Sequence, residues 1–420
     1  MYSRRIINLL FFILFATGVF LPGFVSAQFF GYKLMYGKKK AHMPFEIYSN
    51  LVVIPIKLNG VVPLSFVVDT GVRSTIITEK IITDILRLPY SRKITVNGPG
   101  DYITLKAYVI NSVDIVMDGA IASDQSILVL EEDYLNLRNH LGTEVHGMTG
   151  YDVFNRFIVG LDYNKKIMTL YEPEYFKPPR RYAELPLSIE DTKPYIFAKL
   201  QINDTSMVYA KLMVDSGASH ALMLNPDSHE NIIIPGMNME TKIGVGLGGP
   251  ISGKISVIKG LEFDKFSFED VVTSFPDKES YPDTIGLVYR NGTIGGELLS
   301  RFKVIFDYFN KKIYFKKNAA SYKKDFGYNM SGITIVAEGE ELNVYIISDI
   351  MKGSPAEKAD MRINDEIESV NGISYEKLKL SDIYQIFNYK EGKKIKFYIR
   401  RNGTLMKKTF RLEGLLKQNL

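Results

Sequence analysis

The sequence predicts a mainly β chain: two lobes of one design related by a pseudo-twofold axis, followed by a smaller α+β domain. Three observations predict it. The first is a repeated turn, since Ser65-Phe66-Val67-Val68-Asp69-Thr70-Gly71 returns as Lys211-Leu212-Met213-Val214-Asp215-Ser216-Gly217, 146 residues later. In each copy an apolar run with strand character delivers an Asp to a strand end, where a small hydroxyl residue and a Gly turn the chain. The second is a later landmark that repeats at nearly the same displacement. Gly147-Met148-Thr149-Gly150 leads into Asn155-Arg156-Phe157 and Leu161-Asp162-Tyr163, and Gly292-Thr293-Ile294-Gly295 leads into Ser300-Arg301-Phe302 and Phe306-Asp307-Tyr308. Two landmarks in the same order describe a duplicated unit of about 145 residues, which is domain-sized. The third is a change of character after the second copy, where Ser354-Pro355-Ala356 starts a helix with Ser as N-cap and Pro at the first helical position.

In chain order, residues 1–27 read as an export signal. Arg4 and Arg5 precede an apolar run to Phe20, and Val25-Ser26-Ala27 offers small residues for cleavage before Gln28. The first lobe is expected over residues 45–172, with short strands at 52–58, 61–68, 103–110 and 127–130. Within it Ile81, Ile82, Ile85 and Leu86 have the spacing of a short helix packed under the sheet. Asn97-Gly98-Pro99-Gly100 is a hairpin-turn signal. Prolines 173, 178 and 179 mark a link, and the second lobe follows over residues 184–317. Its stretch Gly244-Val245-Gly246-Leu247-Gly248-Gly249-Pro250 lacks the Lys-Ser/Thr of a P-loop, so it too reads as a hairpin. The last domain is expected over residues 326–413.

Composition excludes several classes. The chain has 420 residues and no Cys, so disulfides, thiol chemistry and Cys-ligated metals are absent from it. The net charge of +5 is mild, includes two arginines of the signal, and does not suggest nucleic acid. The lysines at 38–40, 316, 317, 323 and 324 read as solvated charge in connections. The five histidines show no metal-binding spacing, and His220, three residues past Gly217, reads as a surface or packing residue, with contact to the cleft as the alternative. No cofactor is expected.

With these motifs quoted, the sequence resembles the aspartic proteases of the retropepsin and pepsin kind, and among them bacterial retropepsin-like proteins with a C-terminal PDZ domain. The family's marks are a hydrophobic-hydrophobic-Asp-(Thr/Ser)-Gly turn and a hydrophobic-hydrophobic-Gly element crossing behind it, once per lobe. The second mark falls on Met148-Thr149-Gly150 and Thr293-Ile294-Gly295, with a Thr replacing an apolar residue in each, and Val72-Arg73 follows the first turn where small residues are commoner. The resemblance covers about residues 45–317 and implies two acid-protease-type β-barrel lobes. It also implies mobile flap hairpins, here with Gly98 and Gly100 in one and Gly246 and Gly248 in the other; the signal read at residues 1–27, and not the resemblance, points to an exported protein of the periplasm or cell envelope, anchored there if the signal is uncleaved. In the PDZ-like block, Asp360 and Asn364 replace customary glycines, and both tolerate left-handed backbone. Peptide tails would add as a strand beside residues 332–335, with Ser331, Gly332 and Ile333 near the C-terminal carboxylate.

The residues then specify a chemistry. Hydrolysis of a peptide needs a water activated by a base and an acid to serve the carbonyl or leaving nitrogen. Two carboxylates in contact cannot both ionise easily, so Asp69 and Asp215 would share one proton and supply both roles. Thr70 and Ser216 would lock the turns together across the lobe interface. Gly71 and Gly217, backed by Gly150 and Gly295, would allow the close approach. Retropepsins build this dyad from two chains; here both halves share one, which favours a monomer with an intramolecular pair. The expected partners are protein or peptide substrates and C-terminal tails at the PDZ domain. The alternative is a catalytically inactive exported scaffold or receptor that binds peptide.

Overall fold

Four β-sheets carry the architecture, in a computed structural model that describes residues 31–100, 104–281, 288–414 and 416. The export signal read at residues 1–27 lies outside the described residues. A nine-stranded sheet holds the first Asp turn and an eight-stranded sheet the second. They are built alike. Val62–Val68 lies antiparallel to Leu51–Leu58 and parallel to Gly147–Thr149, and Met207–Val214 lies antiparallel to Lys193–Gln201 and parallel to Gly292–Ile294. A parallel pair needs a long crossover, and in both lobes that crossover carries a β-hairpin.

The third sheet is shared. Its six strands include Ile158–Asp162 and Ile167–Tyr171 from the first half and Phe302–Asp307 and Lys312–Lys317 from the second. Val159 stands opposite Phe306 and Leu161 opposite Val304, so the halves are joined by backbone hydrogen bonds as well as side chains. Phe154, Phe157, Phe302 and Phe306 are fully buried in one continuous core beneath both lobes. Burying each such ring contributes about 1.5–3 kcal/mol.

Some sequence expectations change. Lys316 and Lys317 end the strand Lys312–Lys317 and Lys40 begins the strand Lys40–Pro44; they are sheet residues, not connection charge. The expected helix exists as Lys80–Ile85, but Ile81 and Ile85 are 58% and 73% exposed, and only Ile82 and Leu86 of the four pack on the core. A helix of so few residues turns one narrow stripe to the sheet, and residues 81 and 85 lie together away from it.

The fourth sheet, from Ile333–Glu338 to Thr404–Arg411, packs against the helix Leu380–Phe387. The short helix Pro355–Lys358 begins where the sequence sets it, with the Glu357 N–H donating to Ser354 Oγ at 3.2 Å. Asp360 and Asn364 are left-handed, with φ of 55° and 70°. The connector from the second lobe is pinned. The buried Arg301 guanidinium donates to the carbonyl oxygens of Tyr322, Lys324 and Asp325 and lies 3.7 Å from the Phe326 ring centroid. Glu297, its ion-pair partner at 3.6 Å, accepts the Gly327 N–H at 3.2 Å.

Candidate active site

Each strand that ends in an Asp is held from behind by the parallel strand crossing it. The Asp69 N–H donates to Thr149 O at 2.9 Å and the Asp215 N–H to Ile294 O at 2.8 Å. The crossing strands pass so closely that a Cβ on Gly150 would lie 2.0 Å from Asp69 O, and one on Gly295 would lie 2.2 Å from His220 O. Glycine is required at both positions for space. The threonines replacing apolar residues are buried; Thr149 Oγ1 lies 3.0 Å from Thr75 Oγ1, while Thr293 Oγ1 has no hydrogen-bond partner among the described residues.

The two turns then lock together reciprocally. Thr70 Oγ1 donates to Val214 O at 2.6 Å and accepts the Ser216 N–H at 3.1 Å; Ser216 Oγ donates to Val68 O at 2.7 Å and accepts the Thr70 N–H at 3.1 Å. All four bonds are buried. They bring the carboxyl groups of Asp69 and Asp215 into hydrogen-bonding contact. A Cβ on Gly71 would meet an oxygen of Asp69 at 3.0 Å and of Asp215 at 3.4 Å, and one on Gly217 would meet Asp69 Cγ at 2.1 Å. The N–H groups of Gly71 and Gly217 orient the carboxylates, donating at 2.6 and 2.8 Å to Asp69 Oδ1 and Asp215 Oδ1.

Electrostatics makes the pair unequal. Burial lifts the Asp69 carboxyl well above the usual carboxylate range, and the charge of Asp215 lifts it further. Burial raises Asp215 as well, but the Gly217 N–H, the hydrogen bond with Asp69 and the nearby Arg290 and Lys193 all pull it back. The pair thus keeps one proton into a higher pH range than an isolated carboxyl would, with the negative charge biased towards Asp215. Burial also lowers the Lys193 ammonium, with Arg290 adding to the effect. His220, pulled down to about 4 by burial, borders the same cleft as a neutral ring.

The hairpins meet over the dyad. One runs from Tyr90–Asn97 into Thr104–Met117, the other from Asn238–Gly246 into Gly249–Phe263. At their tips the Gly248 N–H donates to Pro99 O at 2.8 Å. The approach leaves no room for side chains: a Cβ on Gly98, Gly100 or Gly246 would come within 2.4 Å of the opposite hairpin. Beneath them lies a cavity of about 580 Å³ that contains both Asp side chains and extends to Tyr328, Asn329, Gly332, Thr334, Met351 and Tyr384 of the C-terminal domain. Arg73, beside the first turn, is exposed and paired with Asp191 across the lobes.

The groove of the C-terminal domain is engaged internally. Ser331 N–H, Ser331 Oγ and Gly332 N–H donate to Asn329 Oδ1 at 3.0, 2.6 and 3.3 Å, and the Ile333 N–H donates to Ser331 Oγ at 3.1 Å. Of the donors that the sequence assigned to a peptide carboxylate, those of Ser331 and Gly332 therefore already converge on the Asn329 side-chain carbonyl, and that of Ile333 is taken by the Ser331 hydroxyl. The Ile335 N–H donates to Tyr384 OH at 2.9 Å, and that hydroxyl donates to Ile335 O at 3.2 Å, so this part of the strand edge is taken too. The first-lobe helix Leu137–Leu141 packs on the strand Ile333–Glu338, with Arg138 Nη2 donating to Glu340 O at 2.7 Å.

Residues 54–153 match the aspartyl protease family, and residues 346–401 match the PDZ domain family. The chain carries an aspartyl protease domain and a PDZ domain. Carboxy-terminal processing protease CtpA of Bacillus subtilis (strain 168) is 32% identical over 88 residues, 21% of this chain and 19% of that protein, so the match spans less than a fifth of that relative. The crystal structure of basic 7S globulin from soybean is a distant likeness, with a TM-score of 0.41 and 10% identity over 68% of this chain and 97% of the other.

Across the two lobes, the first of which carries the matched aspartyl protease segment, the structure brings together Asp69, Asp215 and all six supporting residues, and sets Gly98, Gly100, Gly246 and Gly248 at the hairpin tips. Sequence reasoning missed Lys193 and Arg290. The repeat itself held the signal. Gly147 and Gly292 begin equivalent strands, which sets Arg290 against Val145, and the pairings Val53↔Val67 and Tyr195↔Met213 set Lys193 against Leu51. It also missed Tyr384 and Arg301, whose roles come from contacts between separate segments, and Asn329, whose side chain caps the turn just after it.

Proposed function

We propose that the chain is an exported aspartic-type endopeptidase, acting as a monomer, in which the Asp69/Asp215 pair activates a water to hydrolyse a peptide bond. The observation that carries this reading is the reciprocal Thr70/Ser216 lock, which holds two half-buried carboxyl groups close enough to share a proton under paired hairpins. Asp215, beside Arg290 and Lys193, is the natural site of the charge and acts as the base towards the water. Asp69, held protonated by burial, donates to the substrate carbonyl; the proton taken by Asp215 then passes to the leaving nitrogen, and as the C–N bond breaks a hydroxyl of the tetrahedral diol returns a proton to Asp69. The hairpins must part to admit a chain and close to exclude bulk water. The PDZ domain, fixed by the Arg301 clamp, forms a wall of the same cavity and adds contacts to the bound polypeptide. Export, with the periplasm or cell envelope as destination, rests on the character of residues 1–27.

The test is incubation of the mature chain with a mixed peptide library from acid to neutral pH, with and without an acid-protease transition-state inhibitor. Inhibitor-sensitive internal cleavage, lost in Asp69→Asn and in Asp215→Asn, is expected. Binding of peptides without turnover at any pH would make the chain a scaffold instead.

A further inference from the structure

The two lobes share a design but present different surfaces to the cleft. On the first side Leu51, Val67, Met148 and Leu137 form part of an apolar cluster that includes Val145. At the equivalent points of the second lobe stand Lys193 for Leu51, Arg290 for Val145 and Thr293 for Met148. The first-lobe wall is therefore apolar at these points, while the second-lobe wall sets Lys193 and Arg290 among apolar residues such as Met213, Met223 and Ile251.

Both cations look to the same anion, the Asp215 carboxylate, which the dyad also uses. Arg290 donates to the Tyr281 hydroxyl and reaches Met213 Sδ at 3.1 Å, and among the described residues no carboxylate pairs with it. Lys193 Nζ is 3.9 Å from Asp191, whose carboxylate already holds Arg73. Glu190, the other nearby acid, is taken by Lys211 at 2.7 Å. Two partly desolvated cations therefore share one dyad charge, and a second carboxylate delivered by a substrate would gain a charge-assisted bond in a low-dielectric site.

We propose that the cleft selects polypeptides with an acidic side chain on one side of the scissile bond and an apolar side chain on the other, the carboxylate being held by Lys193 and Arg290. This rests on the peptidase reading above and names its substrate class.

The test uses the full mature chain and peptides matched except at the two residues flanking one bond: Leu with Glu, Gln, Leu or Lys, in both orders. In one order wild type should cleave the Glu peptide about tenfold or more faster in kcat/KM than its Gln isostere, the worth of one charge-assisted hydrogen bond. Arg290→Met and Lys193→Met should each bring the Glu:Gln ratio towards one, and Arg290→Glu should favour the Lys peptide. Should Arg290→Met not fold, Lys193→Met carries the same comparison. A Glu:Gln ratio of one in wild type overturns the proposal and leaves the peptidase reading standing. So does an equal loss on all peptides in Arg290→Met with a displaced pH profile, because the cations would then serve only to tune Asp215. A binding arm with Asp69→Asn separates the two ideas if no peptide is cleaved: tighter binding of the Glu peptide supports acid selection, and equal binding refutes it.

Discussion

Replacing Ser216 by Ala tests the lock directly. The hydroxyl donates to Val68 O and accepts the Thr70 N–H, both buried, so its removal leaves one carbonyl and one amide without partners. Each such orphan costs about 1–3 kcal/mol, so the loss should be about 2–6 kcal/mol. The same change loosens the turn that aims Asp215 at Asp69, and a displacement near 1 Å at a reacting group lowers turnover by about 10²-fold. Guanidinium unfolding followed by tyrosine fluorescence reads the first quantity and kcat on a cleaved peptide the second. Thr70→Ser keeps the hydroxyl and should retain most of both. If Ser216→Ala matched wild type in midpoint and kcat, the lock would be ornamental and the reasoning from it would fail.

Other outcomes follow from the same geometry. Because folding raises the carboxyls of the dyad, their contribution to stability is present below the ordinary carboxylate range and is lost as pH rises through the folded values; Asp69→Asn should therefore unfold at a higher temperature than wild type at pH 8, with the difference closing at acid pH. His220 has the opposite sign: its neutral form is favoured on folding, so stability present above the ordinary value of 6.5 is lost as pH falls towards about 4. Titration by NMR should locate His220 near the lower figure, and His220→Gln should flatten the acid dependence of unfolding in that window. Arg301→Lys cannot reproduce a planar guanidinium that serves three carbonyls and stacks on Phe326, so limited proteolysis should cut residues 318–330 faster than in wild type while the lobes persist. Tyr384→Phe frees Ile335 at the strand edge, and together with Asn329→Ala it should raise the affinity of the PDZ domain for C-terminal peptides, measured by fluorescence polarisation.

What was legible in the sequence was what repeats or is local. The Asp turns, the crossing glycines, the hairpin signals and the Ser354 cap are short patterns whose meaning is set within a few residues, and duplication supplied the relation between the two halves. Pairing between distant strands leaves no such mark: nothing in Lys40–Pro44 tells it to lie against Ile167–Tyr171. The helix at Lys80–Ile85 had the right spacing, but which isoleucines face inwards depends on the sheet above it. Lys193 and Arg290 look like ordinary surface cations until the register sets them against Leu51 and Val145. The engaged PDZ groove combines a local turn with a tertiary contact: Asn329 takes the backbone of Ser331 and Gly332 two and three residues on, while Tyr384 reaches Ile335 from a distant helix, and both act on backbone that the sequence had assigned to a ligand.

The shared floor sheet has a consequence for any attempt to separate the halves. Expressed alone, each lobe would carry the naked rim of Ile158–Asp162 or Phe302–Asp307, a row of unsatisfied amides flanked by phenylalanines, and such rims seek another copy. Split fragments should associate with each other or precipitate. For the intact molecule the same seam forbids the halves from gaping like a clamshell, so the way in for a polypeptide is through the roof.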